Sequence, residues 1–199
     1  VGCNATASIL CLYPLARLNL IQEAFLDIRV GSSEGGSTAT AGSHHPFRSK
    51  ALRIIEPFSH RHLAEAAQEL SLREEALSMR LSAVETVRGV QACADVVLSS
   101  SLEERDLWRI YRDAYGNEPF VHLCPARPVH QKFPDPRLTT GSNNVQIGFA
   151  LRDGKRHCLV VSALDNLMKG AAGSAVQSAN LMLGLPEVTG LTMQPVYPV

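Results

Sequence analysis

The segment "NNVQIGFALRDGKRHCLVVSALDN" (residues 143–166) decides the fold. Two apolar runs flank Asp153-Gly154, a dipeptide suited to a two-residue hairpin turn because its central positions tolerate positive φ. The segment therefore reads as a β-hairpin, and a hairpin imposes antiparallel pairing. Short strands are also predicted at 24–31 ("AFLDIRVG"), 51–58, 77–89, 90–100 and 119–124. Strands that follow one another at hairpin spacing predict an α+β domain. Its mixed sheet is mostly antiparallel, with helices packed on one face.

Between these strands the apolar period lengthens to that of a helix. Helices are expected over 5–18, with Asn4 or Thr6 as cap, and over 59–76, capped by Ser59. A third is expected over 101–116, capped by Ser101 and closed by Gly116, and a last one over 170–185, stopped by Gly184 and Pro186. Residues 31–50, small and polar, carry no period and read as a loop. A loop of that length in a compact domain is usually functional or a linker.

The chain has 199 residues, 45% of them hydrophobic and 19% charged, with a formal net charge of zero. That is enough for one domain with its own core. The balanced charge argues against a nucleic-acid surface. No apolar run approaches the ~20 residues that span a bilayer. Cysteines stand at 3, 11, 93, 124 and 158, an odd number with no C-x-x-C pair. That pattern fits neither a disulfide framework nor a structural zinc site, and it favours a reduced, cytoplasmic setting.

Cys3 stands at the mouth of the first predicted helix. The positive end of a helix dipole favours the thiolate, which is the nucleophilic form. First-turn N–H groups could hold the oxyanion formed when that thiolate attacks a carbonyl. The alternative for Cys3 is an inert buried thiol. A nucleophilic cysteine needs a partner that handles protons, and "HRHLAE" offers His60, His62 and Glu65. As metal ligands the pair is weak, because no third ligand stands nearby, and no metal is expected. Glycine-rich stretches occur, but none matches a dinucleotide fingerprint, a Walker loop or a serine-hydrolase elbow.

The motifs "GCNAT", "HRHLAE", "VRG" and "GSN", followed by "LDNLMKGAAGSAVQSANLMLGLPEVTGL", occur here in the order found in N-acetyl-γ-glutamyl-phosphate reductases. The chain resembles that family over essentially its whole length. The resemblance implies a fold like the C-terminal catalytic domain of glyceraldehyde-3-phosphate dehydrogenase. It also implies that residues 1–199 are a catalytic and dimerisation domain, with an N-terminal Rossmann NADP-binding domain absent from this chain. Two departures, Asn4 after the cysteine and "SSEGGS" followed by "SHHPFRS", look like the sister branch of lysine biosynthesis. In that branch the aminoadipyl phosphate, or glutamyl phosphate, is linked to a small acidic carrier protein. The arginine-pathway reductase and a non-catalytic assembly domain remain alternatives.

The resemblance implies Cys3 as nucleophile, forming a thioester that NADPH reduces, and His60 as acid/base. It implies substrate contacts at Ser33, Gly36, His62 and Glu65. The loop bearing His44, His45, Arg48, Lys50 and Arg53 is positive, which suits encounter with an acidic carrier, and Arg48 is expected to bind substrate. Asn166, Lys169, Gly170 and Gly173 are expected near the nicotinamide. A homo-oligomer, dimer or tetramer, is expected through the open face of the sheet.

Overall fold

A computed structural model of the chain describes residues 1–38, 40–55, 57, 60–152 and 156–196. The expected cap Ser59 and the Asp153-Gly154 turn lie outside the described residues. The strands on either side of that turn, β6 (Val145–Leu151) and β7 (His157–Leu164), pair antiparallel from Val145 opposite Leu164 to Leu151 opposite Cys158. They join β1 (Ile21–Val30), β2 (Arg53–Ile54), β3 (Leu77–Ala83), β4 (Val90–Leu98) and β5 (Val121–Leu123). Together they form one seven-stranded sheet in the order β2-β3-β1-β4-β7-β6-β5.

Four ladders are antiparallel, β1/β4, β2/β3, β4/β7 and β6/β7, and two are parallel, β1/β3 and β5/β6. The mostly antiparallel mixed sheet is thus as expected. The parallel β1/β3 pair needs a crossover, because parallel neighbours cannot be joined by a tight turn. That crossover carries the one-turn α2 (His45–Arg48), β2 and α3 (Arg61–Leu70). It lays α3 against α1 (Cys3–Ala16) and so brings the two candidate histidines towards the candidate cysteine.

Alternation along the strands separates the two faces. In β4, Val90, Ala92, Ala94, Val96 and Leu98 are buried, while Asp95 between them is exposed. The buried face meets Cys11, Leu12 and Leu15 of α1, Ala66 and Leu70 of α3, and Leu107 and Tyr111 of α4 (Glu104–Tyr115) in one core. On the opposite face Arg29 and Arg80 pair with Asp27 at 3.0 and 3.3 Å.

Helix ends differ from expectation for local reasons. Gly2 is the residue that precedes α1, and Asn4 and Thr6 lie buried inside its first turns, where the Thr6 hydroxyl donates to the Gly2 carbonyl at 3.0 Å. His60 occupies the cap position of α3, its ring accepting from the His62 amide at 3.1 Å. The helix stops at Leu70 because Ser71 takes a left-handed conformation, with φ of 54°. In α4 the cap is Glu103, not Ser101: the Asp106 carboxylate accepts the Glu103 N–H and Glu103 returns the bond, a reciprocal capping box. The last helix, α5 (Gly173–Met182), is entered through a π turn at Met168–Ala172, and Gly184, with φ of +66°, follows its end. The polar loop 31–50 holds a 3-10 turn at Ser32–Gly35 as well as α2.

Candidate active site

The start of α1, the start of α3 and the Ser32–Gly35 turn enclose a cavity of about 440 Å³ whose wall includes Cys3, His60, His62, Arg48 and Glu34. Small residues allow the close approach. A Cβ on Gly2 would overlap the His62 ring, and one on Gly170 would stand 2.5 Å from the Cys3 Cβ. The His62 ring therefore lies directly over the residue before Cys3, and the Gly170 backbone forms the wall behind it. Glu65, one turn along α3, does not line the cavity; its carboxylate accepts the Gly2 N–H at 2.9 Å and pins the entry to α1.

Burial pushes the Cys3 thiol up to about 11, and the Glu34 carboxylate adds to the rise. The helix-start N–H groups and Arg61 oppose it and are outweighed. The expected activation by the helix dipole is present in direction, but desolvation is the larger effect. His62 is 5% exposed, and neither ring nitrogen has a hydrogen-bond partner among the described residues. Burial, and then the neighbouring His60, hold it down to about 4. At neutral pH it is an uncharged ring and too weak a base to take the thiol proton. The His60 and His62 rings meet edge to face, with centroids 4.3 Å apart. Because His60 Nδ1 accepts the His62 N–H, a neutral His60 carries its proton on Nε2. From there it can donate to a thiolate or to a developing oxyanion.

Arg48 is 1% exposed, so it belongs to the cavity wall and not to an encounter surface. Its guanidinium donates to Glu34 at 3.1 Å and to the Val30 carbonyl at 2.6 Å. His44, His45, Lys50 and Arg53 of the same loop are exposed. The charged residues of the wall, Glu34, Arg48, Arg53 and Arg61, sum to a positive site suited to an anion.

The other expected residues do not line the cavity. Ser33 donates to the Val87 carbonyl at 2.7 Å and accepts from Asn166 at 2.9 Å. Gly36, with φ of +73°, closes the 3-10 turn. Asn166 is buried with both ends of its amide engaged. Lys169 is buried over the Phe120 ring and donates to Gln177 at 2.7 Å; desolvation lowers its pKa. Gly173 packs against the Asn143 side chain. None of these residues lines the cavity.

Two residues of this region were not anticipated. Glu34 sits in the polar loop with no periodic signal. Asp165 is wholly buried: it accepts N–H bonds from Leu167 at 2.8 Å, Met168 at 3.1 Å and Gly141 at 2.6 Å, and pairs with Arg88 at 2.6 Å. An aspartate between a strand and a helix is a recognisable capping signal, and it could have been read from "LDNLMKG". Among the described residues no cluster of metal-ligating side chains occurs, all five cysteines are free, and no helix is long and apolar enough to cross a membrane.

Comparison with known proteins bears on this geometry. Residues 3–166 match the family described as semialdehyde dehydrogenase, dimerisation domain. The whole chain is 43% identical to a putative LysW-L-2-aminoadipate 6-phosphate reductase of Thermomicrobium roseum, covering 58% of that protein. Over 99% of its length it is 44% identical to the LysW-L-2-aminoadipate/LysW-L-glutamate phosphate reductase of Sulfurisphaera tokodaii, covering 57% of it. The chain thus spans little more than half the length of these relatives. Aspartate semialdehyde dehydrogenase II of Vibrio cholerae shares the fold at a TM-score of 0.71 and 15% identity, over 92% of this chain and 61% of that one.

Proposed function

The chain belongs to the semialdehyde dehydrogenase family, within its dimerisation domain, and from that premise we propose that it carries the nucleophile of an NADP-dependent acyl-phosphate reductase. The carrying observation is Cys3 at the start of α1, in the wall of a positive cavity beside His60 and Arg48. The Cys3 sulfur attacks the acyl carbon, and the carbon–oxygen bond to phosphate breaks with its electron pair leaving on phosphate. The product is a thioester. We assign the thiol proton to His60 Nδ1, which takes it once the bond from the His62 amide opens and the ring turns towards Cys3; the imidazolium then donates to the oxyanion. Arg48 and His62 complete the substrate wall, while Glu65 acts through the Gly2 amide.

Reduction of the thioester to the semialdehyde needs a hydride, which NADPH supplies when bound. We assign its binding to the part of the relatives' length that this chain does not span. The substrate we assign is an aminoadipyl or glutamyl phosphate carried on LysW, in keeping with the relatives' names. The exposed His44, Lys50 and Arg53 suit an acidic carrier docked at the cavity mouth. The sheet face bearing Arg29, Arg80 and Asp95 is assigned to contact between copies, and a cytoplasmic setting is consistent with five free thiols.

The test is an assay of the full-length protein with carrier-linked aminoadipyl phosphate and with free N-acetylglutamyl phosphate. Preference for the carrier-linked substrate is expected. Preference for the free one would overturn the lysine-branch assignment, and reduction of neither would overturn the reductase reading.

A further inference from the structure

We infer that Asn4 is a catalytic residue: its side-chain amide touches the Cys3 sulfur, and its Nδ2–H donates to the oxyanion formed when that sulfur attacks the acyl carbon. The inference rests on the reductase reading for the reaction at Cys3. Asn4 is 1% exposed and stands in the cavity wall beside the nucleophile. It does not cap the helix: Gly2 precedes α1, and Asn4 lies inside the first turn. Asparagine is favoured at caps over helix interiors, and a buried amide is costly unless its polar atoms find partners. The one side-chain bond that Asn4 makes among the described residues is weak: the Cys3 S–H donates to its Oδ1 at 3.7 Å. Its Nδ2 donates to no described residue and, unlike the His62 ring nitrogens, is not sealed from solvent. Both Nδ2 hydrogens are thus left for a group that enters the cavity.

The nearest backbone donors are directed elsewhere. The N–H groups of Cys3 and Asn4 act on the Cys3 sulfur itself, where they favour the thiolate. Gly170 packs against the Cys3 Cβ, and the Ser8 hydroxyl donates to the Asn4 carbonyl at 2.8 Å, so sulfur and amide share a fixed stretch of helix. As Sγ bonds to the acyl carbon, the carbonyl π pair moves onto oxygen, one carbon away from the sulfur. The thiol proton leaves for His60, which ends the S–H bond to Oδ1 and frees the amide to present Nδ2–H. The oxyanion accepts that N–H together with the one from His60. When its electron pair returns to carbon, the bond to phosphate breaks and both donors are released. A donor that engages only as the charge forms lowers the barrier without tightening ground-state binding.

The experiment compares Asn4→Ala and Asn4→Asp with the parent in the full-length protein, with the fold checked by circular dichroism. One readout is phosphate release in a single turnover of carrier-linked aminoadipyl phosphate without NADPH. The other is Cys3 alkylation by iodoacetamide, followed by peptide mass spectrometry. Alkylation needs the thiolate but forms no oxyanion, so it reports the sulfur alone. Asn4→Ala is expected to slow phosphate release at least about tenfold, and about a hundredfold for the loss of a full oxyanion donor. Its alkylation rate should stay within about twofold of the parent's. Asn4→Asp keeps the shape and an Oδ1 acceptor but has no N–H to give, and it should slow release at least as much as Asn4→Ala. A loss of release below about tenfold in either variant would overturn the inference. So would alkylation in Asn4→Ala slowed as far as release, since Asn4 would then only place the sulfur. A parent enzyme that is alkylated but releases no phosphate overturns the reductase reading as well. A parent that releases phosphate, with Asn4→Ala keeping pace, overturns this inference alone.

Discussion

Two cysteines lie on α1, Cys3 at its start and Cys11 a little over two helical turns further in, and burial pushes both thiols upward. Cys11 lies at the core end, fully buried, with its Sγ directed at the Val160 carbonyl at 3.4 Å and Leu12 and Leu15 beside it. Cys3 lies at the cavity end, among His60, His62, Arg61 and Glu34. Desolvation is the leading cause in both places and cannot distinguish them. What differs is access, together with neighbouring groups that change charge or shift hydrogen bonds when a ligand arrives. A raised thiol in a core stays inert; the same thiol in a cavity wall is open to a substrate and to a group that can take its proton.

The sharpest way to break this comparison is to remove each sulfur in the full-length protein. Cys3→Ser is expected to lower kcat for acyl-phosphate reduction by more than about a thousandfold, with the fold intact by circular dichroism. Cys11→Ala should leave kcat near the parent value and cost stability instead, about 1–2 kcal/mol in urea unfolding. A Cys3→Ser enzyme that keeps more than about a tenth of its rate would remove covalent catalysis, and with it the distinction between the two ends.

A smaller effect tests how rigid the core end is. Pro14 lies inside α1 and has no N–H, so the Leu10 carbonyl has no helical donor. The Tyr115 hydroxyl supplies one at 2.8 Å, and Tyr111 donates to the Cys11 carbonyl at 2.7 Å. Tyr115→Phe removes that donor from a partly buried carbonyl and is expected to cost about 1 kcal/mol, read as a lower urea midpoint at constant m. No change in midpoint would mean that another donor replaces the hydroxyl.

The smallest effect belongs to the cavity end and depends on pH. His62 titrates at about 4 in the folded chain but near 6.5 when exposed. Between those values the unfolded state binds more protons, so the stability contributed by neutral His62 is complete above about 6.5 and is lost as pH falls towards 4. At pH 6 the loss is still under about 1 kcal/mol. His62→Phe should flatten the fall in unfolding midpoint between pH 7 and 5. An equally steep profile in that variant would assign the acid sensitivity elsewhere.

Legibility followed the range of the interactions involved. The antiparallel pairing of β6 with β7 and the helix α4 were readable because alternation and period act over a few neighbouring residues. The caps were missed at close range: Glu103 with Asp106, and His60, replaced the more usual Ser101 and Ser59 positions. The parallel β1/β3 pair was not readable, because its partners are separated by a crossover of dozens of residues whose length says nothing of register. Cys3, His60 and His62 were found from residue type and helix position. Glu34 was not, because its role lies in contacts with a segment far away in sequence, and Asp165 was missed although its bonds to Leu167 and Met168 are local.

The sequence by itself therefore determined an α+β domain with a mostly antiparallel sheet, a cysteine at a helix start and two histidines at another. Those features depend on local periodicity and on side-chain chemistry, which travel with the chain. Only the tertiary structure decided that the two helix starts face one cavity, that Arg48 of the polar loop is buried in its wall, and that desolvation outweighs the helix dipole at Cys3. Each of these is a difference between a group's environment and water, and that environment exists only once distant segments have packed together.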